Sequence, residues 1–167
     1  SSAASDVYKR QTLQRDGHTV SASVLIHGLA PSAIAAGIEP AEALLAFMEF
    51  LGDSPLLAFH AGFDQRMLAR ALKDTLNLRL RHPFYDVAEL APMLCPQAEI
   101  RNGGLDDWTA YFGLQVGQRH HASADALVTA ELALILFSRA RKQQADSLKA
   151  LEQRLKSWRQ RLQGHSL

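Results

Sequence analysis

Cysteine is almost absent: Cys95 stands alone, so no internal disulfide can staple this chain, and a reducing compartment is expected. No apolar stretch approaches the roughly 18 residues that a membrane crossing requires. No secretory signal pattern is visible either. Both absences point to a cytoplasmic protein without a membrane partner. Strand-forming segments are scarce as well. Residues 19–26, 56–59 and 82–88 read as extended, against six helical segments, which is few strands for a mixed sheet flanked by helices.

What remains is ample for a core. The chain has 167 residues, 47% of them hydrophobic, which fits one globular domain and excludes general disorder. The net charge of +1 hides an uneven distribution. Residues 138–167 carry eight Lys/Arg against two Asp/Glu, which leaves ten basic and fifteen acidic side chains on residues 1–137. A basic tail can lie against nucleic acid or be a solvated helix face, and the two readings stand level.

Residues 1–11 are polar and aperiodic and read as a disordered leader. Residues 12–137 form the expected folded unit, and residues 138–167 a basic amphipathic helix. Asp16-Gly17 is a hairpin signal ahead of the alternating strand 19–26. Pro40 opens a helix whose Leu44, Leu45, Phe47, Met48 and Leu51 make an apolar stripe. Helices follow at 63–72, 89–94, 105–112 (closed by Gly113) and 124–137. In the first of these, Phe63 is expected as a wedge into the core. Helix continues over 138–162, where Leu148, Leu151, Leu155, Trp158 and Leu162 step by 3 and 4 along a narrow seam. That seam can pair with a protein partner, with a second copy of the chain, or fold back on the body.

Two junctions carry chemistry. His120 precedes Asp125 by five residues at the start of an apolar helix. An imidazole can take a proton from water near neutral pH, and a carboxylate on the next turn can hold a divalent metal. Asp64 opens another helix directly after the buried strand 56–59. Each aspartate could equally be an acidic residue favoured by the helix dipole. Together with the histidine they are the parts of a phosphodiester-hydrolysing site. His121 reads as a surface residue. Asp86 could approach the metal but reads better as the cap of the helix that follows. His60 could touch a substrate phosphate or bond backbone. A zinc site from Cys95, His120 and His121 matches no closed zinc spacing.

In order along residues 12–137, five segments resemble the DnaQ-like 3′–5′ exonucleases, the histidine subclass of the DEDD superfamily. This group includes the epsilon subunit of bacterial DNA polymerase III and has a ribonuclease H-like fold. Ile26-His27-Gly28-Leu29 with Pro31 is similar to the family's IHGIT-P segment. Residues 57–64 (LAFHAGFD) are similar to its second motif, usually HNAxFD, with Phe59-His60 where His-Asn is usual. Residues 84–91 (FYDVAELA) resemble its hDTLxLAR strand, residues 102–113 its LxxLxxxFG helix, and residues 120–125 (HHASAD) its third motif, HxAxxD.

The resemblance implies an α/β ribonuclease H-like mixed sheet flanked by helices, with a C-terminal helical extension. It also implies two Mg²⁺ or Mn²⁺ ions and a nucleic-acid 3′ end as substrate, single-stranded DNA first among the choices. Asp64 and Asp125 become metal ligands and His120 the base. His27, His60 and Phe63 become substrate contacts. The family's first motif, Asp-x-Glu, occurs nowhere in the 167 residues. The expectation is therefore an N-terminally truncated member with impaired hydrolysis. The competing expectation is a non-catalytic interaction module that associates through its C-terminal helix.

Overall fold

The structure is a computed structural model that describes residues 36–117 and 121–164. The expected hairpin and strand over 16–26 lie outside these residues, as do His27 and His120.

Helix α1 (Pro40–Leu51) starts at a proline preset for the first helical turn, and the Glu39 side chain accepts the Glu42 N–H at 3.1 Å. Gly52 ends it with φ 53, a conformation that suits a residue without Cβ. The stripe is narrower than the sequence suggests. Leu44 and Leu51 are buried, whereas Leu45 is exposed, being rotated about 100° from Leu44 around the helix.

Strand β1 (Leu56–Ala58), helix α2 (Ala61–Leu76) and strand β2 (Phe84–Asp86) form a βαβ unit. The strands run parallel, with Leu57 opposite Tyr85 and Ala58 opposite Asp86. Such pairing needs a long crossover, which α2 supplies. Asn77, left-handed at φ 53, closes α2, with the Leu78 N–H bonded back to the Leu72 carbonyl at 3.1 Å.

Helix α3 (Val87–Leu94) begins under the Asp86 side chain, which accepts the Ala88 N–H. A single 3₁₀ turn (Pro96–Ala98) leads on to α4 (Leu105–Phe112), closed by left-handed Gly113 as the sequence indicates. Helix α5 (Ala122–Lys142) runs longer than its expected 124–137. Its buried face, Val128, Leu132, Leu136 and Ala140, packs on α3, α4 and β1. Trp108 completes this core with almost no exposed surface.

The tail is not one continuous helix. Gln144 is left-handed at φ 62, and the Ser147 hydroxyl accepts the Ala150 N–H at 3.2 Å, so a fresh helix α6 (Leu148–Gly164) starts there. Gln143 donates to the Leu94 carbonyl at 2.9 Å and fixes the bend against α3. Of the expected seam, Leu151 and Leu155 are buried in the core and Trp158 packs beside it, while Leu148 and Leu162 stay exposed. Thus the seam folds back on the body. Two polar clamps hold it: the Tyr85 hydroxyl donates to Glu152, and the Arg159 guanidinium forms a two-pronged ion pair with Glu89. The architecture is α/β and mostly helical, with a small parallel sheet and a C-terminal helical extension.

Residues Leu132 and Leu134 on α5 separate core from surface, at 0% and 69% exposure. Leu132→Ala should cost about 2–5 kcal/mol by removing buried methyl groups, and Leu134→Ala within about 0.5 kcal/mol. Chemical denaturation of both variants checks this, and equal losses would contradict the assigned faces.

The Glu152 hydrogen bond, then burial, pushes the Tyr85 phenol up to about 12. Because the folded value lies above the ordinary 10, the stabilisation is full below pH 10 and is lost as pH rises toward 12. Tyr85→Phe should lose about 1 kcal/mol at neutral pH and show a flatter decline in alkali. Parallel alkaline melting curves for the two proteins would refute the pairing.

Candidate active site

A cleft of about 1270 Å³ opens between α2, β1 and α5. Its walls are largely apolar, with Leu57, Phe59, Met67 and Ala133 among them. Three polar groups of the sequence reading line it together: His60, Asp64 and Asp125. This is the composition of a ligand cleft, mostly hydrophobic with few polar groups. It is also wide enough for a nucleotide end.

Asp64 stands in the first turn of α2. Its carboxyl is pushed above the ordinary carboxylate value, chiefly by partial burial, with a backbone hydrogen bond offsetting part of this and the Asp86 charge adding to it. Asp125 occupies the corresponding turn of α5 and is half-buried. Its own N–H is bonded to the His121 carbonyl, and its carbonyl accepts the Thr129 hydroxyl at 2.7 Å. Both aspartates therefore sit at helix starts, where the dipole favours negative charge.

His60 is left-handed, with φ 61 and ψ 50, and its ring meets Phe59 edge-on at 4.8 Å. The resemblance described above has asparagine at this position. Asparagine and histidine are both enriched in the left-handed region, so the substitution preserves the backbone. His60 donates its backbone N–H to Asp86 Oδ1 at 2.9 Å. Asp86 thus does more than cap α3, and this second bond gave no signal in the sequence.

Phe63 corrects one expectation. It is no wedge into the core but is 62% exposed. It lies nine positions before the fully buried Leu72, about two and a half turns, and so faces the other way. His121 is half-buried, with Nδ1 bonded to Ser123 Oγ at 2.8 Å. Cys95 is buried, and burial pushes its thiol up, away from metal-binding or nucleophilic chemistry.

Among the described residues no group of three or more His, Cys, Asp or Glu side chains could hold a metal ion. In kind, Asp64 and Asp125 fit a hard divalent cation such as Mg²⁺ or Mn²⁺. In number they leave most coordination positions to water and phosphate oxygens.

Comparison with known proteins settles the relationship. The exonuclease family typified by RNase T matches residues 5–133. The chain belongs to this exonuclease family. It is 36% identical over 93 residues to the PolC-type DNA polymerase III of Thermotoga maritima, covering 56% of this chain and 7% of that protein. The PolC-type enzyme of Clostridium perfringens is 31% identical over 102 residues, 61% of this chain and 7% of its own length. That of Listeria innocua is 31% identical over 127 residues, 75% of this chain and 9% of its own. The chain therefore spans less than a tenth of these polymerases. With this membership the α/β architecture is that of a DnaQ-like, ribonuclease H-like exonuclease with a helical extension, and nucleic acid is the ligand class the family implies. No described helix is long and apolar enough to cross a membrane.

A partly desolvated carboxylate beside another one opposes folding. Its raised value means the neutral form is favoured in the fold, so stability falls as pH climbs above the ordinary 3.8. Asp64→Asn should raise the melting temperature at pH 7 in EDTA, and the gain should fade as pH drops toward 4. A lower melting temperature at pH 7 would contradict this account of the cleft.

Proposed function

We propose that this chain is a 3′–5′ exonuclease module acting on the single-stranded 3′ end of a nucleic acid, DNA in a replication setting, and releasing nucleoside 5′-monophosphates. The observation that supports it best is that Asp64 and Asp125, from two distant helix starts, line one cleft with His60. The exonuclease family and the PolC-type relatives agree with this reading.

In the proposed mechanism Asp64 and Asp125 hold divalent metal, which supplies charge neutralisation on the scissile phosphate when bound. His120, two residues ahead of Ala122 in the sequence, removes a proton from the attacking water through its imidazole nitrogen. His27 and His60 meet the substrate backbone, and exposed Phe63 offers a ring on which a terminal base can stack. Residues 12–137 carry this unit. The apolar walls of the cleft exclude water around the reacting end.

Two carboxylates are few for the two ions of the family's chemistry, and the sequence contains no Asp-x-Glu. Hence the 167-residue chain alone should hydrolyse slowly. The competing interaction-module reading needs the α6 seam free, and its central leucines, Leu151 and Leu155, are committed to the core of this chain.

Mn²⁺ at about a hundred times its dissociation constant should stabilise the protein by about 2.7 kcal/mol. Asp64→Ala and Asp125→Ala should abolish that response, whereas His120→Ala should keep it and lower only the rate of mononucleotide release. Thermal melts with and without Mn²⁺, together with product analysis on a 5′-labelled oligonucleotide, check these outcomes. No response to Mn²⁺, or an equal response in all three variants, would overturn the assigned roles.

A further inference from the structure

The junction between β1 and α2 holds a strained residue. His60 sits at φ 61 and ψ 50, a region that a non-glycine side chain occupies only when its surroundings fix it. Two hydrogen bonds hold it: its carbonyl accepts the Phe63 N–H at 3.1 Å, and its own N–H reaches a carboxylate oxygen across the sheet. Asp86 Oδ1 accepts the His60 N–H at 2.9 Å and also the Ala88 N–H at 3.0 Å. The Ala88 bond is an ordinary helix cap. The His60 bond is additional and reaches across the parallel pair, where Asp86 is the register partner of Ala58. One oxygen therefore ties the start of α2, with Phe63 and Asp64, to the start of α3.

We propose that Asp86 is a positioning residue for the nucleic-acid end. By holding the His60 N–H it maintains the left-handed turn that sets His60 in the wall of the cleft, just ahead of Phe63 and Asp64 on α2. The inference rests on the exonuclease reading above and adds a residue to it. Side-chain chemistry separates the two bonds. Serine caps helices well but is too short to span to residue 60, whereas asparagine keeps an acceptor oxygen at the aspartate's reach.

The test uses the 167-residue chain in EDTA, with amide hydrogen exchange at His60 and Ala88 and the affinity for a fluorescent single-stranded oligothymidylate as readouts. Asp86→Ser should leave Ala88 protected and the melting temperature near that of the wild type. It should speed exchange at His60 about tenfold and weaken oligonucleotide binding about fivefold. Asp86→Asn should bring both back toward wild type. Unchanged exchange at His60 in the serine variant overturns the tether. Faster exchange with unchanged oligonucleotide affinity overturns the positioning role while leaving the exonuclease reading intact. Wild-type protein that binds no oligonucleotide, in EDTA and with added Ca²⁺ alike, overturns that reading, and the positioning role with it.

Discussion

Helix α5 carries the constraint on which the rest of the molecule depends, because it serves two surfaces at once. Val128, Leu132, Leu136 and Ala140 bury one side of it against α3, α4 and β1. Asp125, Ala130, Ala133 and Leu134 present another to the cleft. The helix cannot rotate or slide to improve one surface without damaging the other, since a close-packed core tolerates little displacement. The position of Asp125 is therefore set by Leu132 and Leu136, about two and three turns further along the same helix. Core packing is here the means by which a carboxylate is aimed.

The same logic runs through the C-terminal helix. Leu151 and Leu155 enter the core beside α3, and the Tyr85–Glu152 and Arg159–Glu89 pairs fasten α6 to β2 and α3. Tyr85 directly precedes Asp86, so the extension braces the strand that carries the His60 tether. The positive charges gathered on residues 138–167 then divide: Arg159 pairs with Glu89 and Arg154 donates to the Gln143 carbonyl, whereas Lys156 lies exposed. The basic tail of the sequence is thus part structural clamp and part solvated surface.

Much of this was legible beforehand. Pro40, Gly52 and Gly113 mark helix ends because their backbone limits act locally, and α4 lies where its periodicity and closing glycine place it. The acids at residues 64 and 125 were readable because helix starts following strands or loops are local patterns. What was not legible is long-range. Phe63 looked like a core residue from its type alone, and only the phase fixed by Leu72 shows it facing out. The break at Gln144 carries no glycine or proline to announce it. The Asp86 bond to His60 joins residues 26 positions apart, and no periodicity encodes such a pair.

Two costly features meet where the chemistry is proposed, and this has a physical reason. Asp64 is raised chiefly by partial burial, with the Asp86 charge adding to it, so the free protein is destabilised by keeping this acid ionised in the cleft. His60 adds a left-handed backbone at the same junction. A fold selected for stability alone would replace an acid with an amide and the histidine with glycine. A cation held by Asp64 would reverse the first of these costs, because it would offset the charge that burial disfavours. The strain at residue 60 has no such release, so it must be held by a fixed partner, and Asp86 is the partner the sheet register provides. A half-buried charge and a clamped left-handed backbone are two different costs, and this junction carries both.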